Sequence, residues 1–205
     1  MKRLLELFSG TGSWNKYCAS SSLEIEVVSV DIEDKFHTPT HLVNILDWDY
    51  TIYPPDYFDI ISSSPPCRYF SVLQQCGKYK KSKEKILENI EKYALPLLYK
   101  TIEIIKYFRT TDKVVYYFIE NPLTGMMRNY MEPNSWGRFI KVDYCRFGYD
   151  YKKPTIIFTN KTSLKDCRCI HGKVKHKMCI GTREDKTTLE QRYSIPQGLI
   201  HYLLS

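Results

Sequence analysis

No run of about 20 apolar residues occurs anywhere in the sequence, so a membrane-spanning helix is not expected. The opening Met1-Lys2-Arg3-Leu4-Leu5-Glu6 sets an acid inside its first apolar stretch, which argues against a secretory leader. Internal repeats and low-complexity tracts are missing as well, which excludes solenoids and tethers. Acidic residues are outnumbered, 23 against 30 lysines and arginines, for a net charge of +7 that leans mildly towards polyanionic partners. Cysteines number seven, and an odd count leaves no complete disulfide framework. The expected setting is therefore intracellular and reducing, cytoplasm or nucleus, where thiols stay free for chemistry, metal binding or packing.

What is present suits one sizeable core. The chain has 205 residues, 43% of them hydrophobic and 14% aromatic, which is a globular composition. Strands are predicted over 3–8, 25–30, 41–45, 57–62 and 114–119, alternating with helical or loop crossovers. That alternation predicts an α/β fold with a mostly parallel central sheet and helices on both faces. A short helix is expected over 14–20 with Ser13 as its N-cap, and a long one over 82–108, kinked or split at Pro96. Segments 139–145 and 155–159 read as a closing antiparallel pair around Phe147-Gly148-Tyr149-Asp150. From Lys161 to Arg192 nine basic residues stand against four acids with few large apolar positions, so this is a loop-rich basic insert. An apolar period returns over 196–204 as a terminal helix with Pro196 near its first turn.

Three strand ends carry chemistry. Ser64-Pro65-Pro66-Cys67 follows the apolar run Tyr57-Phe58-Asp59-Ile60-Ile61, and the two prolines hold Cys67 in a stiff loop that cannot fold back into a helix. Such a cysteine is either a packing residue or a nucleophile that meets a planar ring from one face. Ser9-Gly10-Thr11-Gly12 places two glycines between a strand and a helix, where backbone can approach a ligand closely. Asp31, at the end of the second strand and about 20 residues on, sits where an acid binds ribose hydroxyls in a doubly wound sheet. Glu120-Asn121-Pro122 ends the fifth strand. Parallel strands point their ends the same way, so Cys67 and Glu120 should meet on one rim, a thiolate beside a carboxylic acid suited to covalent chemistry on a heteroaromatic ring.

The order of these pieces resembles the DNA (cytosine-5) methyltransferases, over residues 3–160, and in particular compact members of viral or phage type. Leu5-Glu6-Leu7-Phe8-Ser9-Gly10-Thr11-Gly12 resembles the family's first S-adenosylmethionine-binding motif, and Val30-Asp31-Ile32 its acidic ribose motif. Asn44-Ile45 falls where the family usually has Asp-Ile facing the adenine. Ser64-Pro65-Pro66-Cys67, followed by Phe70-Ser71, resembles the nucleophile motif, and Glu120-Asn121-Pro122 a motif more often ending in valine. The resemblance implies a Rossmann-like class I methyltransferase. Its cofactor would be held by Phe8, Ser9, Gly10, Thr11, Gly12, Asp31, Ile32, Asn44, Ile45 and Pro65. It implies methyl transfer to C5 of a flipped or single-stranded cytosine, with Cys67 adding to C6 and Glu120 acting at N3. Lys78, Lys80, Lys81, Lys83 and Lys85 then read as phosphate contacts or as a solvated helix start.

Two family motifs have no intact copy. In place of Gln-x-Arg-x-Arg stands Phe147-Gly148-Tyr149-Asp150-Tyr151-Lys152-Lys153-Pro154-Thr155, with Lys153 in one arginine's place and Arg146 as a further candidate to anchor Glu120 or the base. The terminal Gly-Asn-x-Val is replaced by Arg192-Tyr193-Ser194-Ile195-Pro196-Gln197. The expected division is a catalytic domain over 1–160, a reduced target-recognition region over 161–190, and a segment over 191–205 that returns to the catalytic domain. Within the reduced region Cys167, Cys169, His171, His176 and Cys179 read first as parts of a basic DNA-contacting loop. Four of them as zinc ligands are the alternative, with a tight Cys-x-Cys spacing. The partner is expected to be DNA. An RNA cytosine-C5 enzyme of the same fold, or a non-enzymatic nucleic-acid-binding or partner-binding relative, remain the competing readings.

Overall fold

A computed structural model describes the chain except for residues 77–79, 110–112, 132–137, 171–175, 177 and 180–186, with backbone alone at 178–179. Strand β1 (Lys2–Leu7) lies near the middle of a seven-stranded sheet. Both its faces are covered, and its apolar residues run without alternation, as a doubly buried strand requires. Leu5 and Leu7 enter one hydrophobic cluster and Leu4 the other. Strands β2 (Ile25–Asp31) and β4 (Ile60–Ser63) pair with β1 on either side, both parallel to it. Beyond them lie β3 (His41–Leu42), parallel to β2, and β5 (Tyr116–Pro122), parallel to β4.

Chain order therefore runs outward from β1 through β2 to β3, then restarts at β4 on the other side. The gap between β1 and β4 is the topological switch point, where ligands bind outside the strand C-termini of such sheets. The far edge is antiparallel. Strand β8 (Pro154–Thr159) runs against β5, and β6 (Arg138–Asp143) runs against β8, which gives the order β3-β2-β1-β4-β5-β8-β6. The closing pair foreseen from sequence is present, and a two-residue strand β7 (Tyr151–Lys152) in its connection pairs in parallel with β9 (Met178–Cys179).

Helix α1 (Ser13–Ser20) and the terminal helix (Gln197–Leu204) cover one face, through Trp14, Tyr17, Cys18, Leu199, Ile200 and Leu203. The other face is covered by α2 (Lys83–Asn89) and α3 (Leu95–Phe108), joined by a π-helical turn over Ile90–Ala94. Pro96 stands in the first turn of α3, where its missing N–H breaks no intrahelical bond. The long helix expected from periodicity is thus split just before the proline, and the wide turn absorbs the change of register. Ser13 does not cap α1. Gly12 occupies the cap position in left-handed geometry, while the Ser13 hydroxyl bonds to Thr11 and accepts from the N–H of Ile195. The edge strand β6 is itself covered. Residues 166–169 run beside it, with Cys167 N–H donating to Lys141 and Asp143 N–H donating to Cys167. Among the described residues no helix is long and apolar enough to cross a membrane.

Candidate active site

The glycine loop begins where β1 ends. Phe8, Gly10 and Gly12 all have positive φ, at 56°, 50° and 64°. Gly12 has no room for a side chain, because a Cβ there would stand 2.5 Å from the His37 ring. A Cβ on Gly10 would meet only the Phe8 carbonyl, at 3.9 Å, so this side of the loop is open. Asp31 fixes the loop from the neighbouring strand: its carboxylate accepts from Gly10 N–H at 2.7 Å and from Glu33 N–H at 3.0 Å. Ile32 beside it is 65% exposed, a bare apolar surface at the end of β2. The buried hydroxyls of Ser9 and Ser63, at the ends of β1 and β4, have no hydrogen-bond partner among the described residues. An open glycine cradle, two unsatisfied hydroxyls, an acid and an apolar wall at the switch point fit a nucleoside cofactor such as S-adenosylmethionine. Asn44 turns its side-chain oxygen to Leu46 N–H, in its own tight turn, and Ile45 is buried in the core.

Beneath the loop lies Glu6, on the α1 side of the sheet. It is buried, and its carboxylate accepts from the N–H of Trp14, capping the helix that Ser13 leaves uncapped. Burial pushes its pKa up to about 8, against the pull of the Trp14 and Asn15 N–H groups and with a further push from Asp31. Nothing in the motif spacing pointed to this role.

Cys67 sits on the same rim, beyond β4. Ser64 N–H donates to the Leu7 carbonyl, and Cys67 itself is exposed. Pro65 is buried, and its carbonyl accepts a 3.1 Å bond from the Asn121 side chain. That bond ties the Cys67 loop to Glu120-Asn121-Pro122 at the end of β5. Phe70, three residues past Cys67, is buried, and its carbonyl accepts from Met126 N–H. Protein crowding around the thiol strips hydration and pushes its pKa up. The Glu120 charge pushes the same way, and Lys153 and a backbone N–H pull it down.

Glu120 is held by two groups. Tyr144 is fully buried and donates to Glu120 Oε1 at 3.0 Å, and Lys153 Nζ stands 3.5 Å from the same oxygen. Both come from strand geometry. β8 is antiparallel, so Lys153, just ahead of it, reaches the rim where β5 ends, and Tyr144, just past β6, arrives there too. Lys153 also donates to the Arg192 carbonyl and lies over the Tyr144 ring. Arg146 does not join this group. It is exposed, with the Cys167 sulfur raising its pKa, so the anchoring foreseen for it falls to Tyr144 and Lys153. Tyr144 left no signal in the sequence beyond its place after an apolar strand.

The basic residues after the Cys67 loop divide. Lys78 lies outside the described residues, Lys85 pairs with Glu88, and Lys81 donates to Gln74. Of the five Cys/His candidates, His171 and the Cys179 side chain lie outside the described residues. Cys169 and His176 come together, but with Cys145 and not with Cys167.

A protein named probable DNA (cytosine-5)-methyltransferase, from Frog virus 3 (isolate Goorha), is 34% identical over 98% of this chain and 98% of its own length. The chain belongs to the DNA (cytosine-5)-methyltransferase family. No protein-family model matches the chain. The solved S. pombe Dnmt2 methyltransferase, 15% identical, superposes with a TM-score of 0.51 over 80% of this chain and 53% of its own. A Spodoptera frugiperda DNMT2 mutant gives 0.47 at 18% identity, over 83% and 56%. The chain thus spans nearly all of its viral relative but about half of these structures. The first superposition supports the class I methyltransferase fold that the strand order already displays.

Two outcomes follow for the cofactor loop. The native state holds the Glu6 proton more tightly than the unfolded chain, so its share of stability is complete below pH 4.5 and falls as pH rises to about 8. Thermal melts of Glu6→Gln should lack that loss, on the order of a few kcal/mol, and at pH 9 should exceed wild type; parallel pH profiles would refute it. Gly12→Ala should cost about 1–2 kcal/mol from its left-handed backbone alone, and the His37 clash should abolish binding of S-adenosylhomocysteine by calorimetry.

Proposed function

We propose that this chain transfers a methyl group from S-adenosylmethionine to C5 of cytosine in DNA. One observation carries the reading: Cys67 and Glu120 stand at neighbouring strand ends, joined through the Asn121–Pro65 bond, with the Glu120 and Lys153 charges both acting on the thiol. The Frog virus 3 relative's name points to DNA as the substrate.

The residues divide the work as follows. The glycine loop and Asp31 hold the cofactor, with Ile32 and Pro65 beside it. When bound, S-adenosylmethionine supplies the electrophilic methyl group. Cys67, as thiolate, adds to C6 of the ring, and the exposed position of the loop lets it meet the ring from one face. Negative charge pushed into the ring would reside at N3, where Glu120 donates or shares a proton. C5 is then nucleophilic enough to take the methyl, after which loss of the C5 proton expels Cys67. Tyr144 and Lys153 fix the Glu120 carboxyl and set which oxygen is free for the base. Lys153 offers a single ammonium contact, where the family's arginine has a planar fork.

The ring must leave a duplex to be reached, and the basic sequence over 161–190 suits phosphate contacts for that step. We read 1–160 and 191–205 as the catalytic body and 161–190 as the recognition region. The free thiols suit a reducing intracellular compartment, that of an infected host for a viral member.

Trapping tests the whole reading. A duplex with 5-fluorocytosine, incubated with S-adenosylmethionine, should give a stable adduct that vanishes in Cys67→Ala, because fluorine at C5 blocks the final elimination. An adduct on RNA alone would move the substrate to RNA, and no adduct on either would sink the enzyme. A second measurement probes Glu120 and Lys153. Both Glu120→Gln and Lys153→Ala should lose methyl transfer, yet alkylation of Cys67 at pH 8 should quicken in the first and slow in the second. Equal alkylation rates would show that neither charge reaches the thiol.

A further inference from the structure

Three soft donor side chains meet just past the end of β6. The Sγ atoms of Cys145 and Cys169 and an imidazole nitrogen of His176 all lie within 4.8 Å of one another. His176 Nε2 is 3.2 Å from Cys145 Sγ and 3.4 Å from Cys169 Sγ. Zinc binds sulfur at about 2.3 Å and imidazole nitrogen at about 2.0–2.1 Å, which spaces tetrahedral ligand atoms by roughly 3.5–3.8 Å. The two His–Cys spacings fall a few tenths of an ångström under that range, and no pair of the three donor atoms is more than 4.8 Å apart. The donors come from separate segments, Cys145 just after β6 and the other two from the recognition region, so helical or strand periodicity does not explain their meeting.

A packing explanation fits less well. One imidazole nitrogen has a single lone pair or a single N–H, and it faces two sulfur atoms, of which Cys169 Sγ has only the Ile170 carbonyl, 3.9 Å away, as a further hydrogen-bond partner. Cys169 is also fixed by other means: its backbone N–H donates to Asp143 at 2.7 Å, and Arg168 pairs with the same carboxylate at 2.8 Å. A small, basic segment with few apolar residues lacks a core of its own, and a metal is a common staple for such a segment.

We infer that Cys145, Cys169 and His176 bind a structural zinc ion that fastens the recognition region to the end of β6. The set differs from the one read from spacing, since Cys145 enters and Cys167 stays out. Among the described residues these three are the donors, and one tetrahedral position is left for a further ligand. The placement couples recognition to chemistry. Cys145 follows Tyr144, whose hydroxyl holds Glu120, so a metal at Cys145 also fixes the Tyr144 end of the catalytic group.

Elemental analysis of the purified full-length protein, after removal of loosely held metal, should find close to one zinc per chain. Cys145→Ser and His176→Ala should each bring it near zero, while Cys167→Ser should keep it. Cobalt in place of zinc should give the strong visible absorption of a tetrahedral thiolate site in wild type. That spectrum decides the matter even if the ligand variants fail to fold. A zinc-free wild type that gives no cobalt spectrum would overturn the proposal. So would a Cys145–Cys169 disulfide in the protein isolated under reducing conditions, or zinc loss in Cys167→Ser equal to that in Cys145→Ser. None of these outcomes depends on methyl transfer, so failure of the trapping experiment leaves the zinc test intact.

Discussion

The reversal of β8 is the constraint on which the catalytic geometry rests. Parallel strands deliver only their C-terminal ends to the rim, which is enough for Ser9, Asp31, Cys67 and Glu120. A strand running the other way delivers the residue that precedes it. Lys153 reaches Glu120 for that reason, and β6, paired against β8, brings Tyr144 to the same place. Were β8 parallel, Lys153 would lie at the opposite end of the sheet, and Glu120 would face the base without either partner.

Charge in this rim is held mainly by backbone and by phenol. Asp31 spends both carboxylate oxygens on backbone N–H groups, and Glu6 lies under the loop where α1 begins. The cofactor loop is thereby fixed from the side and from below, and its open face is left to the ligand. Stiffness of this kind lowers the entropy that binding must overcome. Packing and hydrogen bonding do the same for Cys67, since the Asn121–Pro65 bond and the buried Phe70 hold both sides of its loop.

Much of this was legible in sequence. The parallel strands, the glycine loop, Asp31, Cys67 and Glu120 are local signals: each is a short run of residue types at the end of an apolar segment. Strand boundaries shifted by a few residues, as at β4, because Tyr57 and Phe58 are as apolar as the strand they precede. Pro96 was correctly seen to divide the long helix. The partners of Glu120 were only half legible. Lys153 was found by its likeness to an arginine motif, whereas Tyr144 and the diversion of Arg146 to Cys167 depend on where β6 and the covering segment lie in space. Glu6 and the meeting of Cys145 with Cys169 and His176 were hidden for the same reason. Contacts between residues far apart in the chain leave no periodicity to read.

The segment beside β6 bears on how such proteins diversify. Its last residue, Cys169, is clamped to the buried Asp143, and the chain regains anchorage at the other end where Arg192 bonds to the buried Thr187 and Thr188 caps the helix over Leu189–Tyr193. Between these posts the chain is held again where β9 pairs with β7 and where His176 meets Cys145. Sequence change around those points leaves the posts, and the sheet behind them, in place, so this edge of the molecule is free to vary while the rim at Glu120 stays as it is.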